Sequence, residues 1–350
     1  MPQVAIEVFA VEGVAISIGQ SFGLTVRPRM TNIITLTINP AIDVSTAVER
    51  VAPVHKLRCT LARRDPGGGG INVARVLKRL GADVVAVYPT GGVLGTLLRQ
   101  LVADEGIPCL TIGIAEETRE DITVLDRSID QQYRFILPGP RLSELEWRGC
   151  LDAVTSLHKR DASAPVDRRA RFVVVSGSLP PGVPEGFYGR IARASQLAGA
   201  KIVVDASGAA LKCALEAGVY LVKPSLRELK ELTGKPLECQ SDWVVACRSL
   251  IDDGRAEMVA LTLGDEGALL VSRDHSLRAQ ALPLKPVSVV GAGDSFLGGL
   301  IWSLTSGHAI ENALRYGVAA GSASLLMPGT ELCRREDIEQ LTNDVKVQAM

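Results

Sequence analysis

The run Val287-Ser-Val-Val-Gly-Ala-Gly-Asp-Ser-Phe-Leu-Gly-Gly-Leu300 constrains this chain more than any other stretch. The β-branched Val287, Val289 and Val290 favour extended backbone, Gly291 and Gly293 permit a tight turn, and Phe296, Leu297, Leu300 and Ile301 recur at helical spacing. The expectation is a buried strand, a glycine turn and a helix opening at Asp294. The first N–H groups of a helix lack intrahelical partners. A turn of small residues at Gly291, Ala292 and Gly293 therefore offers them to phosphate oxygens or to a charge developing in a reaction. The same helix terminus is expected to favour the ionised form of Asp294, leaving it able to accept a proton beside that anion. Capping is the commoner role for an aspartate so placed. What sets this one apart is its company, three further glycine turns where strands end.

From Asn32 onward, strand-like segments alternate with amphipathic helices, the pattern of a parallel sheet covered by helices. Ile33 to Ile38 reads as a strand, and the turn at Asn39-Pro40 delivers Asp43, a candidate hydroxyl acceptor. Asp65-Pro-Gly-Gly-Gly-Gly-Ile-Asn-Val-Ala-Arg75 places four glycines ahead of an amphipathic helix that Gly81 stops. Such a run is entropically costly, which favours a loop whose backbone a ligand approaches closely over a purely structural one, and Asn72 in the first turn can reach a sugar hydroxyl or serve as a cap. Ile122 to Leu125 and Gln132 to Ile136 then flank Ser128-Ile-Asp130 as a hairpin, expected to project as a lid. Arg119 at its base and Arg134 within it are candidate phosphate ligands. The polar stretch from Arg160 to Arg171 reads as an insertion without a functional role. Further on, Glu228 lies in the first turns of a helix, where a carboxylate suits the dipole. Two strands around a Gly264/Gly267 turn would offer the Thr262 hydroxyl and bare amides to a nucleotide.

Composition narrows the function classes. A chain of 350 residues, 47% hydrophobic, can bury a core for one large α/β domain or two smaller ones. With 38 basic against 39 acidic residues it has no global excess suited to nucleic acid. Seven scattered cysteines without a C-x-x-C pair read as reduced thiols in the cytoplasm. No apolar run is long enough to cross a bilayer, and the first thirty residues lack a basic start and a cleavage site. Because Met30 stands just before the first convincing strand, residues 1–31 are set apart as an extension without function. The chain has no G-x-x-x-x-G-K-[ST], H-E-x-x-H or G-x-S-x-G, so nucleotide binding must use something other than a Walker A loop.

Pro66-Gly-Gly-Gly-Gly-Ile-Asn-Val-Ala-Arg75 and Val290-Gly-Ala-Gly-Asp-Ser295 together resemble the two signatures of the PfkB (ribokinase-like) sugar kinases. The likeness runs from Asn32 to Leu341. Within that family, Lys56-Leu-Arg-Cys-Thr60, the four glycines, Gln132-Tyr-Arg-Phe135, Ser176-Gly-Ser-Leu-Pro-Pro-Gly182 and Gly317-Val-Ala-Ala-Gly-Ser322 are most similar to the bacterial 6-phosphofructokinase branch. Relatives acting on fructose 1-phosphate or tagatose 6-phosphate usually carry a lysine within the run that is Gly67 to Gly70 here. The resemblance implies a ribokinase-like three-layer α/β/α sandwich over residues 32–343, with β-lid segments near 42–64 and 118–137, and a C-terminal tail over 344–350. It also implies ATP-dependent phosphorylation of fructose 6-phosphate at its 1-hydroxyl, with Mg2+ as cofactor, K+ as a further candidate, and a homodimer formed through the lid.

Carried over position by position, the resemblance makes Asp294 the general base and gives the amides of Gly291, Ala292 and Gly293 the transferring phosphoryl group. Asp43, Gly68, Gly69 and Asn72 would bind sugar hydroxyls, with Arg119, Arg134 and Ser178 around the sugar phosphate. Lys223, Ser225, Thr262, Gly264 and Gly267 would line the nucleotide, Glu228 would organise Mg2+ through water, and Lys56 would touch a second ATP. One position departs from the family's Asn-x-x-Glu, which reads Ser225-Leu-Arg-Glu228 here. That departure motivates a reading from another class, a sugar-phosphate-binding regulator with weakened chemistry. Retention of Asp294 and its glycine turn argues against it. Among enzymes the alternative is a kinase for tagatose 6-phosphate or fructose 1-phosphate, whereas a dinucleotide enzyme is disfavoured because no G-x-G-x-x-G joins an early strand to its helix.

Overall fold

The computed structural model describes residues 6–9, 33–161 and 172–350. Most of the polar stretch read over 160–171 lies outside them, as does Met30. In chain order the first strands and helices are β1 (Ile6–Phe9), β2 (Ile33–Leu36), β3 (Ala41–Val48), β4 (Arg63–Gly67), α1 (Gly69–Arg79), β5 (Val84–Thr90), α2 (Gly92–Asp104), β6 (Cys109–Gly113), β7 (Arg119–Asp126) and β8 (Gln131–Ile136). There follow α3 (Glu144–Asp161), β9 (Phe172–Ser176), α4 (Phe187–Leu197), β10 (Lys201–Asp205), α5 (Gly208–Glu216), β11 (Val219–Val222), α6 (Leu226–Thr233), α7 (Gln240–Asp252) and β12 (Ala256–Thr262). The chain closes with β13 (Ala268–Ser272), β14 (Ser276–Ala279), α8 (Ala292–Thr305), α9 (Ile310–Leu325), α10 (Arg335–Thr342) and β15 (Val347–Ala349).

The strands sort their side chains by the two-residue period of extended backbone. Ile33, Phe172, Val174 and Val203 pack on one face with Ile71 and Leu77 of α1 and Leu297 and Leu300 of α8. Ile34, Leu36, Val173, Val175 and Val204 pack on the other with Trp147 of α3, Phe187 of α4 and Trp243 of α7. With apolar residues buried on both faces, the strands read as continuous hydrophobic runs and the sheet lies between two helical layers. The result is the expected three-layer sandwich.

The sheet has eleven strands in the order β1-β6-β5-β2-β9-β10-β11-β12-β13-β14-β15. It is parallel from β6 to β12, while β1 and the run β13 to β15 pair antiparallel at its ends. Strand β2 pairs with β5 on one side and β9 on the other, so the chain winds outward in both directions from this seam. Ligands of open α/β sheets bind outside the carboxyl ends of the strands at such a point.

A second sheet of four strands, β4-β3-β7-β8, forms the small β-lid. Its register sets Asp43 opposite both Asp65 and Asp121, three carboxylates abreast. Arg63 and the fully buried Arg75 neutralise Asp65, whereas Arg119 pairs with Asp121.

Two expectations need correction. Val287 to Val290 form no strand. Pro286 precedes them, Val287 and Val289 are 55% and 60% exposed, and the Val287 amide donates to the Leu325 carbonyl at the end of α9. The β-branched propensity is real, but this segment lies beside a helix end, with Val287 and Val289 turned outward and Val290 buried. Secondly, the residues set apart as a tail contribute β15, paired with β14. Within the segment set apart as an extension, Ile6–Phe9 forms β1 and pairs with β6 of the main sheet.

Candidate active site

Consecutive parallel strands leave polar residues at one edge of the main sheet. Past β2 comes Asn39, β9 ends at Ser176, β10 at Asp205 and β12 at Thr262, and Lys223 directly follows β11. Strand order puts neighbours from distant parts of the sequence side by side. Lys223 Nζ lies 3.1 Å from Asp205 Oδ1, and the Ser176 hydroxyl donates to Asp205 Oδ2 at 3.3 Å. Burial raises the Asp205 pKa, with Lys223 pulling against it. Burial likewise opposes the charge on Lys223, and Asp205 more than offsets that, so the ammonium is held protonated.

Facing this edge is the N-terminus of α8. Gly291 is its N-cap in a left-handed conformation with φ 78°, and the turn Gly291, Ala292, Gly293 and Asp294 remains half-buried. A side chain at Gly293 would begin 3.4 Å from Lys223 Nζ, which puts the turn and the ammonium side by side. Asp294 accepts from Asn72 Nδ2 at 2.9 Å, so the first turns of α1 and α8 meet through their polar side chains. Here the sequence reading needs revision. The Asp294 pKa is pushed up to about 7, by burial first and then by Asp205, against the lowering effects of Asn72, Lys223 and Arg134. Desolvation and a second carboxylate outweigh the helix terminus and its hydrogen bond. A carboxylate whose pKa lies near neutral pH is suited to accept a proton.

The glycine run makes room for the site as much as for a ligand. A Cβ on Gly67 would sit 2.4 Å from the Asp43 carboxylate, and one on Gly69 would sit 2.1 Å from Ser176 Oγ and 3.2 Å from Asp294 Oδ1. Gly68, the N-cap of α1, has φ 102°, a conformation that favours glycine. Asp43 is pushed up to about 7 by burial, then by Asp121, with Arg75 opposing and Asp294 adding to the rise. The carboxylates of Asp43 in the lid and Asp294 on α8 thus influence each other.

Around the expected phosphate pocket the two arginines differ. The Arg119 guanidinium is engaged within the protein, donating to the carbonyls of Leu137 at 2.8 Å and Asn39 at 3.3 Å and pairing with Asp121 at 3.2 Å. Arg134 on β8 is exposed, yet near enough to lower the pKa of both Asp43 and Asp294. Ser178 accepts from Asn39 Nδ2 at 3.1 Å, and the Asn39 Oδ1 is buried without a partner. Sequence reasoning misses Asn39, Ser176 and Asp205 as site residues. Their one sequence signal is a polar residue at a strand end.

On the nucleotide side, Ser225 is the N-cap of α6. Its amide and hydroxyl both donate to Glu228 Oε2 at 2.8 Å, and the Glu228 amide returns a bond to Ser225 Oγ at 3.3 Å. This is a capping box, and it engages one oxygen of the carboxylate expected to organise a metal. Thr262 pairs with Ser225 through an isolated bridge, its amide donating to the Pro224 carbonyl. Gly264 faces open space with φ 62°, whereas a side chain on Gly267 would strike the Ala279 carbonyl at 2.2 Å. The first can meet a ligand and the second is required by packing. Lys56 is exposed in the loop between β3 and β4, apart from this cluster's contacts.

A carboxylate with its pKa near neutral, beside the N-terminus of a helix, suits transfer of a phosphoryl group to an alcohol. At the seam of an α/β/α sandwich bearing a β-lid, it defines a carbohydrate kinase of ribokinase-like fold. Membership follows more narrowly from comparison. The profile of the pfkB family carbohydrate kinases matches residues 31–337, and the chain belongs to that family. It is 45% identical over 308 residues to ATP-dependent 6-phosphofructokinase isozyme 2 of Mycobacterium tuberculosis, covering 88% of each chain. Solved structures of phosphofructokinase-2 from Escherichia coli are similar too. One in complex with substrates and products is 38% identical with a TM-score of 0.84. Another in complex with potassium is 37% identical with a TM-score of 0.83. Each is covered to 99% of its length by 90% of this chain.

Proposed function

We propose that this enzyme transfers the terminal phosphoryl group of ATP to the 1-hydroxyl of fructose 6-phosphate, giving fructose 1,6-bisphosphate and ADP. The observation that carries the reading is Asp294, half-buried, raised to about 7 and hydrogen-bonded to Asn72 at the mouth of the bare-amide turn. Asp294 takes the proton from the hydroxyl while the amides of Gly291, Ala292 and Gly293 stabilise charge on the moving group. Asp43, Asn72 and the backbone of Gly68 and Gly69 hold the sugar hydroxyls, and Arg134 with Ser178 receives the 6-phosphate. Arg119 lies beside them, its Nη1 and Nη2 holding the carbonyls of Leu137 and Asn39, while its buried Nε has no partner and is open to a phosphate oxygen.

Lys223, Thr262 and Gly264 receive the nucleotide. Among the described residues no group of three or more acidic, histidine or cysteine side chains could hold a metal. That fits Mg2+, which keeps several waters and is held mostly by substrate phosphates. Glu228 would contribute through water by its Oε1, because Oε2 is engaged by Ser225. Potassium is carried as a further cofactor on the strength of the solved Escherichia coli relative that contains it. The exposed Tyr133, Phe135 and Leu137 at the lid's β8 edge suit a homodimer contact, and a second ATP at Lys56 belongs to the same reading. Seven free cysteines suit a cytoplasmic setting.

The test is a coupled ADP-release assay with Mg2+-ATP against fructose 6-phosphate, tagatose 6-phosphate, fructose 1-phosphate and free fructose. The reading requires the highest kcat/KM with fructose 6-phosphate. Faster turnover of another ketose would transfer the assignment to that sugar, and tight binding without turnover would select the regulator.

A further inference from the structure

The loop from Pro328 to Arg334, between α9 and α10, carries a buried leucine in a conformation that leucine rarely adopts. Leu332 has φ 62° and is 1% exposed. A branched side chain in this left-handed region carries a conformational penalty and persists only where the surroundings over-determine it. The surroundings here are two arginines of α1. Arg75 donates to the Thr330 carbonyl at 2.8 Å, and Arg79 donates to the carbonyls of Glu331 at 2.6 Å and Cys333 at 3.0 Å. The backbone is thus tethered on both sides of Leu332. Glu105 accepts from both arginines, and Glu331 from Arg63 of the lid.

The side chain so forced inward lies on the glycine that opens α8. A Cβ on Gly291 would sit 2.3 Å from Leu332 Cδ2. Gly291 is itself left-handed at φ 78°, the N-cap of α8 and the first residue of the turn read above as the phosphoryl seat. Two left-handed residues, one on each side of a single van der Waals contact, therefore set where the amides of that turn point. The same Arg75 Nη1 lies 3.2 Å from the Pro66 carbonyl and 3.4 Å from Asn72 Oδ1, tying the clamp to the sugar side and to the partner of Asp294.

We propose that Leu332 is a positioning residue of the phosphoryl-transfer step, held inward by Arg75 and Arg79 so that its side chain fixes the Gly291 turn in the orientation the transferring group needs. The inference rests on the reading of that turn as the phosphoryl seat. Misplacement of a reacting geometry by about 1 Å costs on the order of 100-fold in rate. Leu332→Ala, which opens space above Gly291 without touching any ligand-facing group, is therefore expected to lower kcat by about 10- to 100-fold with KM for fructose 6-phosphate changed by less than about threefold.

The experiment compares kcat, both KM values and thermal midpoint for Leu332→Ala, Leu332→Gly, Leu332→Met and Gly291→Ala, with Leu250→Ala as a control for lost core packing on the opposite face of the sheet. Leu332→Met should recover most of the rate. Leu332→Gly should melt no lower than Leu332→Ala, since glycine accepts the left-handed backbone, and should still be slow. The inference is overturned if Leu332→Ala keeps its kcat while Gly291→Ala loses it, if Leu332→Gly turns over normally, or if Leu250→Ala slows turnover equally for the same loss of thermal midpoint. Normal turnover by Gly291→Ala would instead remove the seat itself. Should Leu332→Ala fail to fold, the contrast between the methionine and glycine variants decides.

Discussion

Replacing Asp294 by asparagine should slow the enzyme and at the same time stabilise it. The carboxylate pKa rises from 3.8 to about 7, chiefly through burial and then Asp205. At roughly 1.36 kcal/mol per unit, that shift corresponds to a native-state penalty on the charge of up to about 4 kcal/mol, and partial exposure of the side chain reduces it to an order of 2. The sign follows from linkage. A group whose native pKa is raised binds its proton more tightly when folded, so wild-type stability falls as pH climbs from about 4 through 7 and levels off above. Asparagine carries no charge to desolvate and keeps one polar oxygen for the Asn72 amide. The variant should therefore be more stable than wild type in urea melts at pH 8, and this advantage should shrink towards pH 5. Turnover should fall by about 100- to 10,000-fold, the usual contribution of a positioned general base, with KM values changed modestly. The coupled ADP-release assay reads the rate. A variant retaining more than about a tenth of wild-type turnover, or one whose stability advantage does not depend on pH, would refute the reasoning.

Other perturbations separate the roles of the neighbouring groups. Arg134→Ala, at an exposed position on β8, should raise KM for fructose 6-phosphate about tenfold or more with little change in thermal midpoint, as steady-state kinetics and a melt will tell. Gly67→Ala, whose new methyl would meet the Asp43 carboxylate at 2.4 Å, should raise the same KM while leaving KM for ATP within about twofold. Lys223→Met strands Asp205 beside the site and should cost about 3–5 kcal/mol at pH 8, less at low pH where Asp205 can take up a proton, measured by urea unfolding. Ser225→Asn keeps a good N-cap for α6 and offers a longer oxygen ligand towards Glu228 and the metal. Its turnover should equal or exceed wild type across a Mg2+ titration, and a marked fall would mean the metal shell is organised around the serine.

Those parts of the candidate site whose logic is local are legible in the sequence. The turn at Gly291 to Gly293 and the proposed base beside it lie within a few residues of each other, and glycine next to a charge stands out in any reading. Ser225 and Glu228 also have a local signature, the S-x-x-E spacing of a capping box. Asp205, Ser176 and Asn39 stayed hidden because sheet order brings them together. Strands β2 and β9 pair directly in the sheet, yet the whole lid, β5, β6 and the first three helices lie between them in the chain. Arg119 shows the opposite limit, since its charge is visible in the sequence and the carbonyls that engage it are not. For Val287 to Val290, β-branched propensity pointed to a strand, and tertiary context placed them along the end of α9 with two valines facing outward. The raised pKa of Asp294 was equally beyond reach, because it depends on burial and on Asp205, a carboxylate at the end of a strand far earlier in the chain.

The most direct test is the pH dependence of kcat/KM for fructose 6-phosphate in the wild-type enzyme, taken from about pH 5.5 to 8.5 at saturating Mg2+-ATP. A base with a pKa of about 7 predicts a rate that rises with pH through neutrality and then levels, with Asp43, also at about 7, steepening the acid limb. The Asp294→Asn residual rate should have lost the steepness contributed by one proton. A profile flat across neutrality, or an acid limb unchanged by the asparagine, would contradict proton transfer to Asp294.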